Sequence, residues 1–149
     1  MIAVLQRASH GKVTVDNKVI GEIAHGLVIF VGAMHDDDES DCEFLTDKIA
    51  GFRIFNDENG KMNKSILEVD GSALVISQFT LCGDWRKGRR PSFTKAAAPE
   101  KGEALYENFI LRLGSKGIPV QSGEFGAMME VELVNDGPVT FVLDSKTKV

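Results

Sequence analysis

Apolar and polar residues alternate from the start of the chain, with Val4, Gln6 and Ala8 on one side and Ala3, Leu5 and Arg7 on the other. A period of two marks a strand with two different faces. Gly11 interrupts this pattern as a turn signal, and Val13, Thr14 and Val15 resume it. The first 35 residues therefore predict short strands at about 2–9, 11–16, 19–24 and 26–34, with Asp16-Asn17 as a turn between the second and third. Val28 to Val31 form an unbroken apolar run of strand length, the pattern of a strand buried on both faces.

The period then changes. Phe44, Leu45, Lys48, Ile49 and Phe52 recur at helical spacing, and Ser40 stands where an N-cap is expected. Six acids between Asp36 and Glu43, with no base among them, suit the positive end of that helix better than a metal site. Asn56 to Gly60 reads as a turn, 72–79 as a strongly apolar strand, and 83–95 as a loop rich in glycine and basic residues. Pro99 opens a second helix, with Glu100 and Glu103 in its first turns, and Leu105, Phe109 and Leu113 form its buried face. Gly114 or Gly117 ends it. Strands near 128–135 and 138–143 complete the chain, with Asn135-Asp136-Gly137-Pro138 as the turn between them. With no repeat or linker, the elements predict a single α+β domain over residues 1–149, in which two helices cover one side of a sheet.

At 149 residues, 43% apolar and 26% charged, the chain is long enough to bury a core without disulfides or a structural metal. The longest apolar stretch, Leu27 to Met34, is too short for a bilayer, and Met1 to Leu5 has no signal-peptide pattern, so a cytoplasmic protein without a membrane partner is expected. Cys42 and Cys82 lie far apart in no CxxC arrangement, as for reduced thiols. The net charge of −5 opposes binding of a long nucleic acid. However, Arg86, Lys87, Arg89 and Arg90 crowd into five positions, either as a local site that steers one strand end or as a solvated loop.

Familiar catalytic sets are missing. His10, His25 and His35 sit beside turns without metal spacing, and no HExxH, GxSxG or GxxxxGK[ST] pattern occurs. A triad assembled in space around one of them stays open. Two segments stand out. Ser77-Gln78-Phe79-Thr80-Leu81 lies where a buried strand runs out into the basic loop, which fits either a site at a strand end or an ordinary strand end. Gly137-Pro138 falls between strands, where proline is unusual and a cis bond is at home, yet a plain hairpin turn accounts for it as well.

These two segments, the second extended to Asn135-Asp136-Gly137-Pro138-Val139-Thr140, resemble the two signature motifs of the D-aminoacyl-tRNA deacylases. Gln6-Arg7, Gly60-Lys61-Met62-Asn63, Arg90-Pro91-Ser92-Phe93 and Ala104-Leu105-Tyr106 agree in the family's order, so the resemblance spans almost the whole chain. It implies a mostly antiparallel, barrel-like core with two covering helices, arranged as a homodimer. The implied activity is hydrolysis of the ester joining a D-amino acid, or glycine, to the 3′-terminal adenosine of tRNA, with no cofactor and no metal. Ser77, Gln78, Phe79 and Thr80 would shape the reacting site. Gly137 and Pro138, joined by a cis bond, would enter the partner subunit's cleft and exclude L side chains, with Arg7 holding them. Leu81, Phe125, Gly126 and Met129, with Ala127 and Met128 between, would receive the terminal adenine, and Arg86, Lys87, Arg89 and Arg90 the acceptor-stem phosphates. The chemistry is either nucleophilic attack by Thr80, for which no histidine base is identifiable, or backbone stabilisation of an oxyanion assisted by the ribose 2′-hydroxyl. The second needs no missing base. Other readings are a noncatalytic nucleic-acid-binding module on the same fold, a deacylase with altered chirality rules, and an esterase for small D-amino-acid esters.

Overall fold

Alternation, with one change of phase at Arg7 and Ala8, builds the first strand. In β1 (Ile2–Val15), Ala3, Leu5 and Val13 are fully buried while their neighbours face outward. The computed structural model describes residues 1–147. One edge of β1 carries two partners in tandem, β3 (Gly26–Gly32) along residues 2–8 and β2 (Lys18–Ile23) along residues 11–15, both antiparallel. The segments expected as separate strands at 2–9 and 11–16 are thus one continuous strand. Gly11 does not turn the chain: a Cβ there would lie 2.7 Å from a methyl of Val28, so the residue allows close packing. The next turn falls at Asp16 and Asn17 as expected, both at positive φ.

Helix α1 (Glu39–Gly51) starts two residues earlier than expected. Asp38, not Ser40, is the N-cap: its side chain accepts from the Ser40 N–H at 2.8 Å, and Asp41 reaches back to the Asp38 N–H at 2.9 Å. Leu45 and Ile49 are buried as the stripe requires, whereas Lys48 is exposed. Two short strands, β4 (Phe55–Asn56) and β5 (Met62–Lys64), flank the expected turn. β6 (Ser72–Ser77) pairs parallel with β3 and ends in a 3-10 turn, Phe79–Cys82. Helix α2 (Pro99–Ser115) has proline in its first turn, and Gly117, at φ +92°, lies just past its end. It leads to β7 (Val120–Ser122), parallel to β6. The sheet is therefore α+β and mixed, with antiparallel pairs around β1 and a parallel side formed by the two helical crossovers.

Both faces of β3 and β6 are buried. Leu27, Ile29, Ala73 and Val75 pack toward α1 and α2 with Leu45, Ile49, Phe109 and Leu113. Val28, Leu74 and Ile76 point the other way, into an interior shared with Val13 and Ile23. The curled sheet nearly closes around this second core. Gly21 of β2 comes so close to β7 that a Cβ would sit 2.9 Å from the Ser122 carbonyl oxygen.

The tail departs most from expectation. Residues 130–144 form one strand, β8 (Glu130–Asp144), whose two halves both pair with β1. Gln6 lies opposite Thr140 and Ala8 opposite Asn135, so two steps on β1 span five on β8. Asn135 to Pro138 is therefore part of a large bulge on one strand rather than a hairpin turn between two.

Candidate active site

Where β6 runs out, Ser77, Gln78 and Phe79 form one wall of a cleft of about 510 Å³. The opposite wall is the loop before β8, with Phe125, Gly126, Met128 and Met129, and Ala96, Ala97 and Pro99 close the side. The ring of Phe125 leans on Tyr106 of α2, with centroids 6.0 Å apart, and lies so near Gly102 that a Cβ there would be 3.3 Å from it. Helix α2 thereby sets the height of that wall. Met129 backs onto Gly123 and the barrel interior. The cleft is apolar, and none of its lining residues is titratable.

Phe79 is 57% exposed, so it serves the cleft more than the core. Its ring packs at 4.9 Å against Phe93, beyond the basic loop. Thr80 and Leu81 face away from Phe125 and line a neighbouring open groove of about 270 Å³ with Val4, Gln6 and Phe30. Gln78 borders both spaces, and its amide donates to the Thr80 hydroxyl at 2.6 Å. The structure thus brings Ser77, Gln78 and Phe79 together with Phe125, Gly126 and Met129, and sets Thr80 and Leu81 around the corner.

Among the described residues, no base stands beside Thr80. His10 pairs with Glu22 at 2.7 Å, His25 bonds the Val69 carbonyl at 2.8 Å, and His35 lies in the exposed segment before α1. None of them lines either space. Backbone donors are better placed. The 3-10 turn opens at Phe79 and Thr80, and the first N–H groups of such a turn have no partner inside it.

The Gly137-Pro138 bond is cis, and both residues are exposed on the bulge. Glycine is required at 137. Its φ is +140°, and a Cβ would lie 2.7 Å from Val139 Cγ2 and 3.2 Å from an Arg7 nitrogen. Arg7 is 6% exposed and holds the bulge from beneath, donating from Nε to the Asp136 carbonyl at 3.0 Å and from Nη1 to the Ile54 carbonyl at 2.9 Å and Asn56 Oδ1 at 3.1 Å. Asn135 closes the bulge, accepting from the Val139 N–H and donating to the Thr140 hydroxyl, each at 2.9 Å. Neither Gly137 nor Pro138 lines the cleft of its own chain. Sequence reasoning passed over Gln6 as a link. Its side chain donates to Thr140 at 3.3 Å and borders the groove with Gln78 and Thr80.

All four basic loop residues are exposed, but they are not equivalent. Arg86 forks onto Asp84 at 2.7 and 2.9 Å, which holds the Asp84 carboxyl well below the usual carboxylate range. Lys87, Arg89 and Arg90 make no ion pair among the described residues. Cys42 and Cys82 are free, buried thiols, both pushed up by desolvation. No helix is long and apolar enough to cross a membrane among the described residues.

Comparison with known proteins gives one consistent result. Residues 4–144 match the model of the D-Tyr-tRNA(Tyr) deacylase family. The D-aminoacyl-tRNA deacylase of Thermotoga petrophila is 58% identical over 145 residues, covering 97% of each chain. That of a Geobacillus strain is 57% identical over 148 residues, covering 99% of this chain and 97% of its own. Among solved structures, the c-Myc DNA unwinding element binding protein superposes with a TM-score of 0.90 at 36% identity, over 97% of this chain and 98% of its own. A probable eukaryotic D-amino acid tRNA deacylase shares the fold, with a TM-score of 0.81 at 20% identity, over 95% of this chain and 97% of its own.

Proposed function

Since the chain belongs to the D-Tyr-tRNA(Tyr) deacylase family, we propose that it hydrolyses D-aminoacyl-tRNA in the cleft between Phe79 and Phe125, by positioning and backbone electrostatics rather than by a side-chain base. The observation that carries this mechanism is that, among the described residues, no titratable side chain lines the cleft or the groove beside it.

The terminal adenine packs against Phe125, Gly126 and Met129, where aromatic and thioether groups suit a flat base. Leu81, around the corner, bears on the opposite wall only, through the turn it shares with Phe79. The ester carbonyl then faces the N–H groups of Phe79 and Thr80, with Ser77 and Gln78 shaping the approach. Water adds to the carbonyl carbon, and the electron pair of the C=O bond moves onto oxygen, where those donors stabilise it. Collapse of the intermediate breaks the bond to the ribose 3′-oxygen, which takes up a proton from the attacking water by way of the neighbouring 2′-hydroxyl. The products are the free amino acid and tRNA.

Chirality is set by a second subunit. The exposed Gly137-Pro138 bulge lines neither space of its own chain, and in a homodimer it enters the partner's cleft beside the substrate α-carbon. Backbone in that position collides with an L side chain and leaves room for hydrogen or a D side chain, so glycyl-tRNA is also accepted. Arg7 keeps the element in place. Lys87, Arg89 and Arg90, with Arg86 braced on Asp84, meet the acceptor-stem phosphates.

A tRNA whose terminal adenosine lacks the 2′-hydroxyl tests the mechanism. Its D-tyrosyl ester should be cleaved on the order of 10²-fold more slowly or worse. An unchanged rate would require a proton carrier from the protein. Binding of tRNA with no ester cleaved would leave a nucleic-acid-binding module, the kind of role named for the DNA unwinding element binding protein that shares the fold.

A further inference from the structure

The sole tryptophan of the chain, Trp85, is 79% exposed and makes no hydrogen bond or ring contact among the described residues. It stands on a short arm whose base is closed by a bridge between Asp84 and Ser92, with backbone hydrogen bonds of 2.8 and 2.9 Å. Arg86 stiffens the arm by folding back onto the Asp84 carboxylate, and Gly88 turns its tip at φ +69°. The acid nearest Trp85 is thus already neutralised, while Lys87, Arg89 and Arg90 project without acidic partners. A large aromatic surface left in water among unpaired cations, on a chain of net charge −5, matches the groups that bind single-stranded nucleic acid: a π face for a base and cations for its backbone.

The arm is continuous with the cleft. Ser92 is followed by Phe93, whose ring packs on Phe79, and Phe79 lines the cleft. Trp85 is one residue beyond the bridge and Phe93 one residue before it, a separation of roughly 7 Å along the arm at strand rise. Nucleotides follow one another at about 3.4 Å along a stacked strand. We propose that Trp85 stacks on an unpaired nucleobase of the tRNA 3′ end, one or two nucleotides 5′ of the terminal adenosine. This rests on the reading that places that adenosine in the cleft. Stacking on either base face tolerates any sequence, so the contact would grip the single-stranded end of every tRNA and leave the paired stem to the three free cations.

With no other tryptophan present, the protein's tryptophan fluorescence reports on this position alone. Uncharged tRNA(Tyr) should quench it at least about twofold, and the same tRNA lacking its last three nucleotides should not. Trp85→Ala should raise KM for D-tyrosyl-tRNA by about tenfold, the size of one lost base stack, with a smaller change in kcat, and Trp85→Phe should recover most of the loss. Unquenched fluorescence at tRNA concentrations that saturate deacylation would overturn the proposal, as would equal quenching by the shortened tRNA, which would assign Trp85 to the paired stem. Quenching by intact tRNA alone, in a protein that cleaves no ester, would uphold this contact and sink the deacylase reading instead.

Discussion

Arg7 donates from Nε to the backbone carbonyl of Asp136 at 3.0 Å, so a buried strand arginine carries the residue just before the exposed Gly137-Pro138 pair. The same guanidinium is shared with Ile54 and Asn56, which fixes its plane. Removing it strands two carbonyls and loosens the bulge. Arg7→Ala should cost about 1–3 kcal/mol in urea unfolding and should narrow the ratio of kcat/KM for D- over L-tyrosyl-tRNA. Arg7→Lys should restore little of either, because a single ammonium cannot span the three acceptors. Full selectivity in Arg7→Ala would remove the residue from chiral selection.

If Thr80 were a covalent nucleophile, Thr80→Ala would lose on the order of 10⁴-fold or more in kcat. With only the Gln78 amide against its hydroxyl, it should retain activity within about tenfold of the parent under single-turnover conditions. Loss of all activity, together with a trapped acyl-enzyme in the parent, would reinstate the nucleophile.

The proposal that each cleft is completed by a second chain predicts complementation. Chains disabled in the cleft by Phe125→Ala and chains disabled in the bulge by Gly137→Val should each be impaired. After mixing and subunit exchange, they should recover selective deacylation through the one intact site of the heterodimer. Activities that merely add would argue against a shared site.

Asp41 carries an acid-sensitive part of the fold. Burial pushes its pKa up, but hydrogen bonds from Ser145 at 2.6 Å, from the Asp38 N–H and from Lys146 outweigh that and bring it from 3.8 to about 2. A carboxyl with a depressed native pKa stabilises the fold above its unfolded value, and that stability is lost as pH falls through the native one. Unfolding free energy should therefore drop by about 2 kcal/mol between pH 4 and 2 through this group. Asp41→Asn should be less stable at neutral pH and should show a flatter acid limb. Parallel limbs in the two proteins would deny Asp41 this role.

Features that depend on local chemistry were readable from the sequence. The two-faced burial of Val28 to Val31, the proline start of α2 and the positive φ at Asp16 and Asn17 all follow from residues within a few positions. Features set by distant partners were not. Gly11 signals a turn, yet its packing against Val28 makes it part of a continuous strand. Asn135 to Pro138 has the composition of a hairpin turn, and only the pairing of both flanks with β1 makes it a bulge. Asp37 reads as one more helix-start acid, but it is fully buried against the amino group of Met1 at 2.7 Å. At the site, the motifs pointed to Ser77–Thr80 and Phe125–Met129 without showing that the 3-10 turn sends Thr80 and Leu81 to the far side of Gln78.

Removal of D-amino acids from tRNA, with L-amino acids spared by exclusion, is the activity proposed for this chain. Its most direct test is single-turnover deacylation of matched D-tyrosyl-, L-tyrosyl- and glycyl-tRNA by the purified protein in the presence of a chelator. The D-tyrosyl and glycyl esters should be lost rapidly, and the L-tyrosyl ester should decay no faster than without protein. Cleavage of the L ester at a comparable rate, or a requirement for added metal, would contradict it.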